Sequence, residues 1–551
     1  MKNIPNRFVS LARTMLAAAL FLAFWGQPAV GAEPTAVLAP RFVAVSAGLP
    51  EGLKASYVHW LDYNGDGRPD LLVNGGRLFR NDSTPGECKF VEVTGEAGLS
   101  GGGAALCYDV DNDGLTDIVT VKGKVWRNLG EGRFADVASE LGYAPHAKAM
   151  TLAAGDLDHD GFADLFIGMS EDWNNGKSPA YYPAQLWRNE GGKRWVEQGG
   201  EAGLSRKSYA RSVLIHDVDG DGKQDVFVAN YRLQANLLWM NQGGLRFREE
   251  AKKRGVAGNK DPKRHFSKIH NRHYGPSHGH CIGSCWLDVD NDGVLDLFVA
   301  NLVHKYVGPS GGKGMSYDIR GYVCDDSAIY RNDGQGVFED WRERLGVALK
   351  PIGGRGVYAG DELWSGAAAG DANNDGWADV FVPQVYNLPY AKALLFLNQA
   401  GKKFANVASA AGIERIDTYA GVWADIDGDG WLDLATAGRP KKDAPAALCL
   451  YHNQGLKGDR RFGWLKVSLA AAPGQGTPLG TLVRVTVPGL TQTQVYAAGT
   501  STYGQQNDPV LHFGLGEVAP ETEVTVTVRW PDGREITLPP ARPGQTVKAM
   551  R

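Results

Sequence analysis

Past its first thirty residues the 551-residue chain has no hydrophobic run approaching the roughly 18 residues of a membrane-spanning helix. It also has no G-x-S-x-G, no H-E-x-x-H, no Walker A motif and no dinucleotide fingerprint in context, and no C-x-x-C-H for a c-type haem. Those absences remove the common motif-bearing hydrolases, zinc peptidases and nucleotide enzymes. A basic excess is missing as well: 58 Lys and Arg stand against 62 Asp and Glu, a net charge of -4, so nothing supports nucleic-acid binding. Cysteine is scarce, at six residues, which in an exported chain suggests disulfides in one of 15 full pairings. Export itself is read from the N-terminus, where Lys2, Arg7 and Arg13, the run MLAAALFLAFW and the small residues before Glu33 form a secretory signal peptide over residues 1–32, cleaved after Ala32. Its removal takes three basic residues and leaves 55 Lys and Arg, so the mature chain is secreted or periplasmic and more acidic still.

What the sequence has instead is a repeated acidic nonapeptide. DVDNDGLTD at 109–117 sets aspartates at positions 1, 3, 5 and 9 with glycine at 6, and the same spacing occurs seven times. The first copy carries Asp62, Asn64, Asp66, Arg68 and Asp70 at positions 1, 3, 5, 7 and 9. The second carries Asp109, Asp111, Asp113, Leu115 and Asp117, and the third Asp156, Asp158, Asp160, Phe162 and Asp164. The fourth has Asp217, Asp219, Asp221, Lys223 and Asp225, and the fifth Asp288, Asp290, Asp292, Val294 and Asp296. The sixth has Asp371, Asn373, Asp375, Trp377 and Asp379, and the last Asp425, Asp427, Asp429, Trp431 and Asp433. Only the oxygen-bearing positions and the glycine stay fixed.

Like charges this close repel unless a cation gathers them. Carboxylates at 1, 3, 5 and 9 and the backbone carbonyl at 7 suit a hard cation once the chain turns at the glycine, and position 7 shares no side-chain chemistry, as a carbonyl ligand requires. No Cys and one His (His159) fall inside the loops, so the expectation is Ca2+, up to seven ions in a structural role. An EF-hand also needs Glu at position 12 and flanking helices. Position 12 is Val73, Thr120, Ile167, Val228, Val299, Val382 or Thr436, and the flanks are short apolar runs such as DLFIG and DVFVAN, so the loops join β-strands.

A second unit follows each loop: an aromatic, any residue, Asn, a Gly-rich turn and another aromatic, as in WRNLGEGRF from Trp126 and YRNDGQGVF from Tyr330. The last copy, YHNQGLKG from Tyr451, lacks its second half, and that half stands at the front of the mature chain as FVAVSAGLPEG from Phe42. The N-terminal strand is therefore expected to complete the last repeat. The predicted fold is all-β: a seven-bladed β-propeller over residues 33–455 with four short strands per blade, followed at 456–551 by a small β-sandwich-like domain with a PDG hairpin turn at 531–533.

With their AAGD lead-ins, the loops resemble the FG-GAP/VCBS repeats of integrin α-subunit propellers and bacterial exported proteins. The tail, with LHFGLG at 511–516 and VTVTVRWPDG at 524–533, resembles the ASPIC/UnbV domain. The pairing is similar to bacterial relatives of cartilage acidic protein. The resemblance implies a calcium-binding propeller and extracellular adhesion or recognition, with no established catalytic site.

Strand alternation sends the acidic loops and the Asn-Gly turns to one face and all other connections to the opposite one. The long insertions, 172–186, 258–284, 301–328 and 350–364, fall on that opposite face: position 9 lies 9 residues before the aromatic in the first two units, but 23 after Asp164 and 34 after Asp296. The richest insertion carries His265, His270, His273, Tyr274, His278 and His280 ahead of Cys281 and Cys285. It reads as a polar loop tied by a disulfide or as a transition-metal site. His270, His273, Tyr274, His278 and His280 are the ligand-face candidates, since variable loops over a rigid scaffold carry function. The function expected is a calcium-binding recognition or adhesion module for an extracellular glycan or protein. The alternatives are a lyase or hydrolase acting on extracellular polymers with its site in the His-rich insertion, and a partner subunit of an exported assembly.

Overall fold

In the computed structural model the residues described are 37–172, 179–258, 266–267, 272–273, 278–303, 325–347, 362–458 and 462–551. The signal-peptide reading lies outside them. Among the described residues no helix is long and apolar enough to cross a membrane, and the two α-helices, Ala138–Leu141 and Ala251–Arg254, are single turns ended by left-handed Gly142 and Gly255.

The protein is all-β. Each acidic loop joins the first and second strands of an antiparallel sheet, as between Ala149–Gly155 and Asp164–Met169 or between Ala210–His216 and Asp225–Asn230. The aromatic-x-Asn motif forms the third strand, as in Gln185–Asn189, and the next aromatic opens a short fourth one, as in Trp195–Glu197. Seven such sheets are built in this order; in the fifth, Glu362–Leu363 also pairs with the end of the second strand. The strand expected to complete the last sheet does so: Pro40–Val45 pairs antiparallel with Ala447–Leu456, with Phe42 opposite Asn453 and Val45 opposite Leu450.

The first and second strands are buried on both faces, Asp164–Met169 throughout, because each sheet is covered by a neighbour on either side. Leu157, Phe166 and Leu186 of the third sheet pack on Val213, Val226 and Trp239 of the fourth. The seventh sheet packs on the first through Val422, Ala435 and Leu450 against Trp60, Leu71 and Phe79, so the stacking returns to its start.

Two further sheets follow. One holds Gly463–Ala470 between Leu511–Gly516 and Gln545–Met550, the other runs through Leu482–Val487, Leu490–Val495, Thr525–Arg529 and Glu535–Thr537, and they share a core of Leu465, Val483, Phe513, Val526 and Trp530. They stand on the acidic-loop side, where Thr477 N–H donates to Gly161 O at 2.7 Å, Gly516 N–H to Asn374 O at 2.8 Å, and the Lys466 ammonium pairs with Asp425.

Residues 496–508 leave these sheets and run along the first strands of the other seven. Asp508 N–H donates to Trp423 O at 2.8 Å, Asn507 Nδ2 to Ala369 O at 3.1 Å and Gln506 Nε2 to Cys107 O at 2.9 Å, while Trp60 N–H donates to Gln506 O at 3.1 Å. The innermost strands would otherwise present unpaired backbone edges, and this segment supplies their partners.

The expected disulfides are not found among the described residues: Cys88, Cys107, Cys281, Cys285 and Cys449 are free thiols. Cys281 and Cys285 lie in one extended strand, Cys281–Leu287, where four residues separate their Cα atoms by about 13 Å, beyond the roughly 7 Å a disulfide spans.

Candidate functional site

Every acidic loop closes by the same hydrogen bonds. The position-1 carboxylate accepts the N–H of the position-6 glycine (Gly114 to Asp109 2.8 Å, Gly222 to Asp217 3.0 Å, Gly430 to Asp425 2.9 Å), and position 5 accepts the N–H of position 7 (Leu115 to Asp113 2.8 Å). Two residues take left-handed backbone: the glycine at 6, as Gly114 at φ 93°, and position 4, where Asn112, His159, Asn291 and Asn374 hold φ of 56–63° and glycine stands elsewhere. That requirement explains why position 4 is confined to Asn, Gly and His.

The turn brings the carboxylates together, with ligand-capable oxygens of Asp62, Asp66 and Asp70, of Asp109, Asp111 and Asp117, and of Asp217, Asp219 and Asp225 each within 4.8 Å of one another. Burial lifts Asp70 and Asp225 to about 8, Asp288 to about 7 and Asp109 and Asp156 to about 6, with the neighbouring carboxylates pushing the same way. Several oxygens are buried with no hydrogen-bond donor: Oδ1 of Asp156, Asp217 and Asp425 at position 1, and Oδ1 of Asp111, Asp219 and Asp290 at position 3. An all-oxygen set with orphaned, desolvated carboxylate atoms fits a hard divalent cation.

Cations offset part of the charge of five loops. Where position 3 is aspartate a cation lies against it: Arg127 on Asp111 at 2.9 Å, Arg188 on Asp158 at 2.7 Å, Arg254 on Asp219 at 3.0 Å, Arg331 on Asp290 at 3.3 Å and His452 on Asp427 at 3.1 Å. Where it is asparagine no cation pairs with the loop among the described residues. Asn64 and Asn373 instead donate to Asp66 and Asp375 at 3.1 and 2.9 Å. The fourth and seventh loops carry further cations, Lys223 on Asp221, Arg529 on Asp217 at 3.8 Å and Lys466 on Asp425, so the negative excess left for an ion differs from loop to loop. The sequence shows this pairing only in part: the middle residue of aromatic-x-Asn is Arg127, Arg188, Arg331 or His452 beside an aspartate and Leu397 beside Asn373, but Met240 beside Asp219, whose cation is Arg254, and Arg80 beside Asn64, where Arg80 pairs with Asp82 instead.

The position-9 aspartates, expected only as ligands, also tie the structure together. Asp117 Oδ2 accepts the N–H of Val110 at 2.9 Å and its Oδ1 that of Asn128 at 2.7 Å, and Asp225, Asp296, Asp379 and Asp433 repeat the arrangement. The motif asparagine then reaches the neighbouring sheet: Asn189 Nδ2 donates to Val110 O at 2.8 Å, Asn241 to Leu157 O at 2.9 Å, and Asn81 to Ile426 O at 2.8 Å across the junction of first and last sheets.

On the opposite side, the segment 496–508 turns at Tyr503. Its ring meets Tyr57 edge-on at 5.9 Å, and the Arg211 guanidinium lies over Tyr209, Tyr231 and Tyr503 at 4.4, 5.0 and 5.4 Å. Tyr57, Tyr209 and Tyr231 sit where first strands begin or second strands end, so this is the mouth facing away from the acidic loops. Of the predicted ligand-face residues, His280 is here, its ring 4.9 Å from that of Tyr231, and His278 stands two residues before it. His270 and Tyr274 lie outside the described residues, as does the side chain of His273. Tyr503 and Arg211 were missed, because one comes from the C-terminal domain and the other from a strand.

The FG-GAP-like repeat family matches residues 62–120, 109–167, 217–299 and 371–436, and the ASPIC and UnbV family matches 474–550. Cartilage acidic protein 1 of Mus musculus is 26% identical over 343 residues, covering 61% of this chain and 44% of that protein, so the chain spans less than half of this relative. Among solved structures, a rhamnogalacturonan lyase of Bacillus licheniformis aligns at 15% identity over 93% of this chain and 76% of its own, with a TM-score of 0.29. The rhamnogalacturonan lyase YesW aligns at 13% over 77% and 91%, with a TM-score of 0.27. Similarity that low carries no argument about this chain. The matched repeats and tail place the chain among the FG-GAP-repeat proteins with a C-terminal ASPIC/UnbV domain.

Proposed function

We propose that the chain is an extracellular recognition module built as a seven-bladed β-propeller, with calcium ions held in the acidic loops and its ligand face at the tyrosine-lined mouth opposite them. The seven sheets are the blades, and the pairing of Pro40–Val45 with Ala447–Leu456 closes the ring. Positions 1, 3, 5 and 9 of each loop supply the carboxylate or amide oxygens and position 7 its carbonyl. The orphaned carboxylate oxygens of the loops are the observation that carries this reading. Calcium there is structural: it neutralises the loops that seat the C-terminal domain and leaves the other face free to vary.

Half-exposed aromatics favour recognition at the mouth. Tyr386, Tyr390 and Tyr419 are 39, 38 and 42% exposed, and large apolar rings left in water commonly mark a binding surface. An enzyme cutting extracellular polymers explains nothing at the mouth that recognition leaves unexplained. The test is a glycan and peptide array probed with the mature chain in calcium and in EDTA. Calcium-dependent retention of a ligand is expected; a blank array in both conditions, or cleavage of an arrayed polymer, overturns the reading.

A further inference from the structure

We propose that Arg211 and the tyrosines around it bind an acidic sugar, a pyranose bearing a carboxylate, and that the C-terminal domain completes this site by delivering Tyr503 to it through the ring. This rests on the mouth being the ligand face.

The first observation is an uncompensated cation. Arg211 opens the inner strand Ala210–His216 and is half-buried. Its guanidinium bonds the Tyr209 hydroxyl, and among the described residues its Nε is buried without a hydrogen-bond partner and no carboxylate pairs with it. The neighbouring cations are paired: Arg232 with Glu171 at 3.2 Å, Lys148 with Asp172 at 3.2 Å and Arg439 with Asp417 at 2.7 Å. A guanidinium withdrawn from water without a counter-charge is unfavourable, and three tyrosine faces compensate only in part. What is missing is an anion, and a carboxylate matches the guanidinium fork with two parallel hydrogen bonds.

The second observation is strain at the tip of the inserted segment. Tyr503 holds φ 58° and ψ 25°, left-handed backbone that suits glycine, with Gly504 beside it. An L-residue with a bulky side chain is disfavoured there, and such strain persists where the surroundings impose it. The ring it carries packs with Tyr231 on a floor of Ile282, Leu302 and Leu363, next to Arg211. The C-terminal domain thus sends a chain segment from the acidic-loop side through the ring to place one phenol at the opposite mouth.

Phenol faces and one cation define the ligand class. A pyranose presents an apolar C–H face to the rings, hydroxyls to the phenol oxygens and, when it is a uronate, one carboxylate to Arg211. An acidic peptide would satisfy the cation but offers no flat ring face to the tyrosines.

The experiment measures Kd for a panel of hexuronate-containing oligosaccharides and for their carboxyl-reduced counterparts, in calcium, with oligoglutamate as the peptide control. The wild-type chain should bind a uronate at least about tenfold tighter than its reduced form and bind oligoglutamate weakly. Arg211→Gln should weaken uronate binding by about 10- to 100-fold, from the charge-assisted bonds lost, with Arg211→Lys between. Tyr503→Phe, which keeps the packed ring and removes only the phenol oxygen, should weaken uronate binding several-fold at an unchanged melting temperature; a purely structural Tyr503 would leave the affinity unchanged. Equal affinity for the reduced sugar, tight binding of oligoglutamate, or indifference to Arg211→Gln overturns the acidic-sugar site and leaves a recognition module standing. A chain that binds no panel member and is also blank on the glycan and peptide array overturns both.

Discussion

Replacing Asn81 by alanine tests whether the sheets close into a ring, because one of its bonds exists only at the junction. Asn81 is fully buried; its Nδ2 donates to Pro69 O at 3.0 Å and to Ile426 O at 2.8 Å, and its Oδ1 accepts Ser83 N–H at 2.9 Å. Asn189, in the interior of the array, makes the corresponding three bonds, to Ala163 O at 3.3 Å, Val110 O at 2.8 Å and from Gly192 N–H at 2.8 Å. Truncation of either leaves three backbone groups without partners, at about 1–3 kcal/mol each where water stays out. Entering water returns part of that, so about 3–4 kcal/mol is expected for each variant. The assay is chemical denaturation in excess calcium, comparing midpoints of the two variants in the same transition with an unchanged slope. Similar losses support a closed ring. A loss under about 1 kcal/mol for Asn81→Ala beside the full loss for Asn189→Ala would refute closure.

Phe42→Ala probes the N-terminal strand itself, whose Phe42 packs between the sixth and seventh sheets against Phe381 and Trp423. Phe42 is 3% exposed and 6.1 Å from Trp423, so about 3–5 kcal/mol should be lost by the same assay, and a loss near zero would make that strand an ornament. Gly67→Ala should cost only about 1–2 kcal/mol, since at φ +79° a Cβ meets open space, whereas at Gly430 (φ +90°) it lies 1.8 Å from Trp464 Nε1. Gly430→Ala should therefore cost more and loosen the C-terminal sheets to limited proteolysis. Without calcium, Asp70, Asp225 and Asp288 bind protons in the folded chain up to pH of about 7–8, but in the unfolded chain only to about pH 4. The native state then holds more protons across that window, so stability in EDTA should fall as pH rises from about 4 to 8. In saturating calcium that fall should vanish, and thermal melting at pH 5 and pH 8 in both conditions checks it.

The repeat was legible because its constraints are local. Aspartates at fixed spacing, a glycine at positive φ and apolar runs on either side specify loop and flanking strands within a dozen residues, and the orphan half-repeat at Phe42 revealed the closing strand. The clasp was half legible: the asparagine stood out in every copy, but its partner is a carbonyl of the next sheet, 345 residues away for Asn81. The segment 496–508 was not legible at all. YAAGTSTYGQQND has neither strand nor helix periodicity, and its order comes from backbone edges of Trp60, Cys107, Ala369 and Trp423 that no local pattern announces. The cysteines misled because composition speaks of compartment and not of geometry; Cys281 and Cys285 sit on one strand and cannot meet.

Calcium content tests the central claim most directly. The purified chain, dialysed against calcium-free buffer, is analysed for metals, and its melting is followed with and without EDTA. The account predicts calcium approaching seven ions per chain, removed by EDTA together with a large fall in melting temperature, as expected when each ion binds the native state alone. A chain that retains no calcium and melts at the same temperature in EDTA as in excess calcium would contradict it.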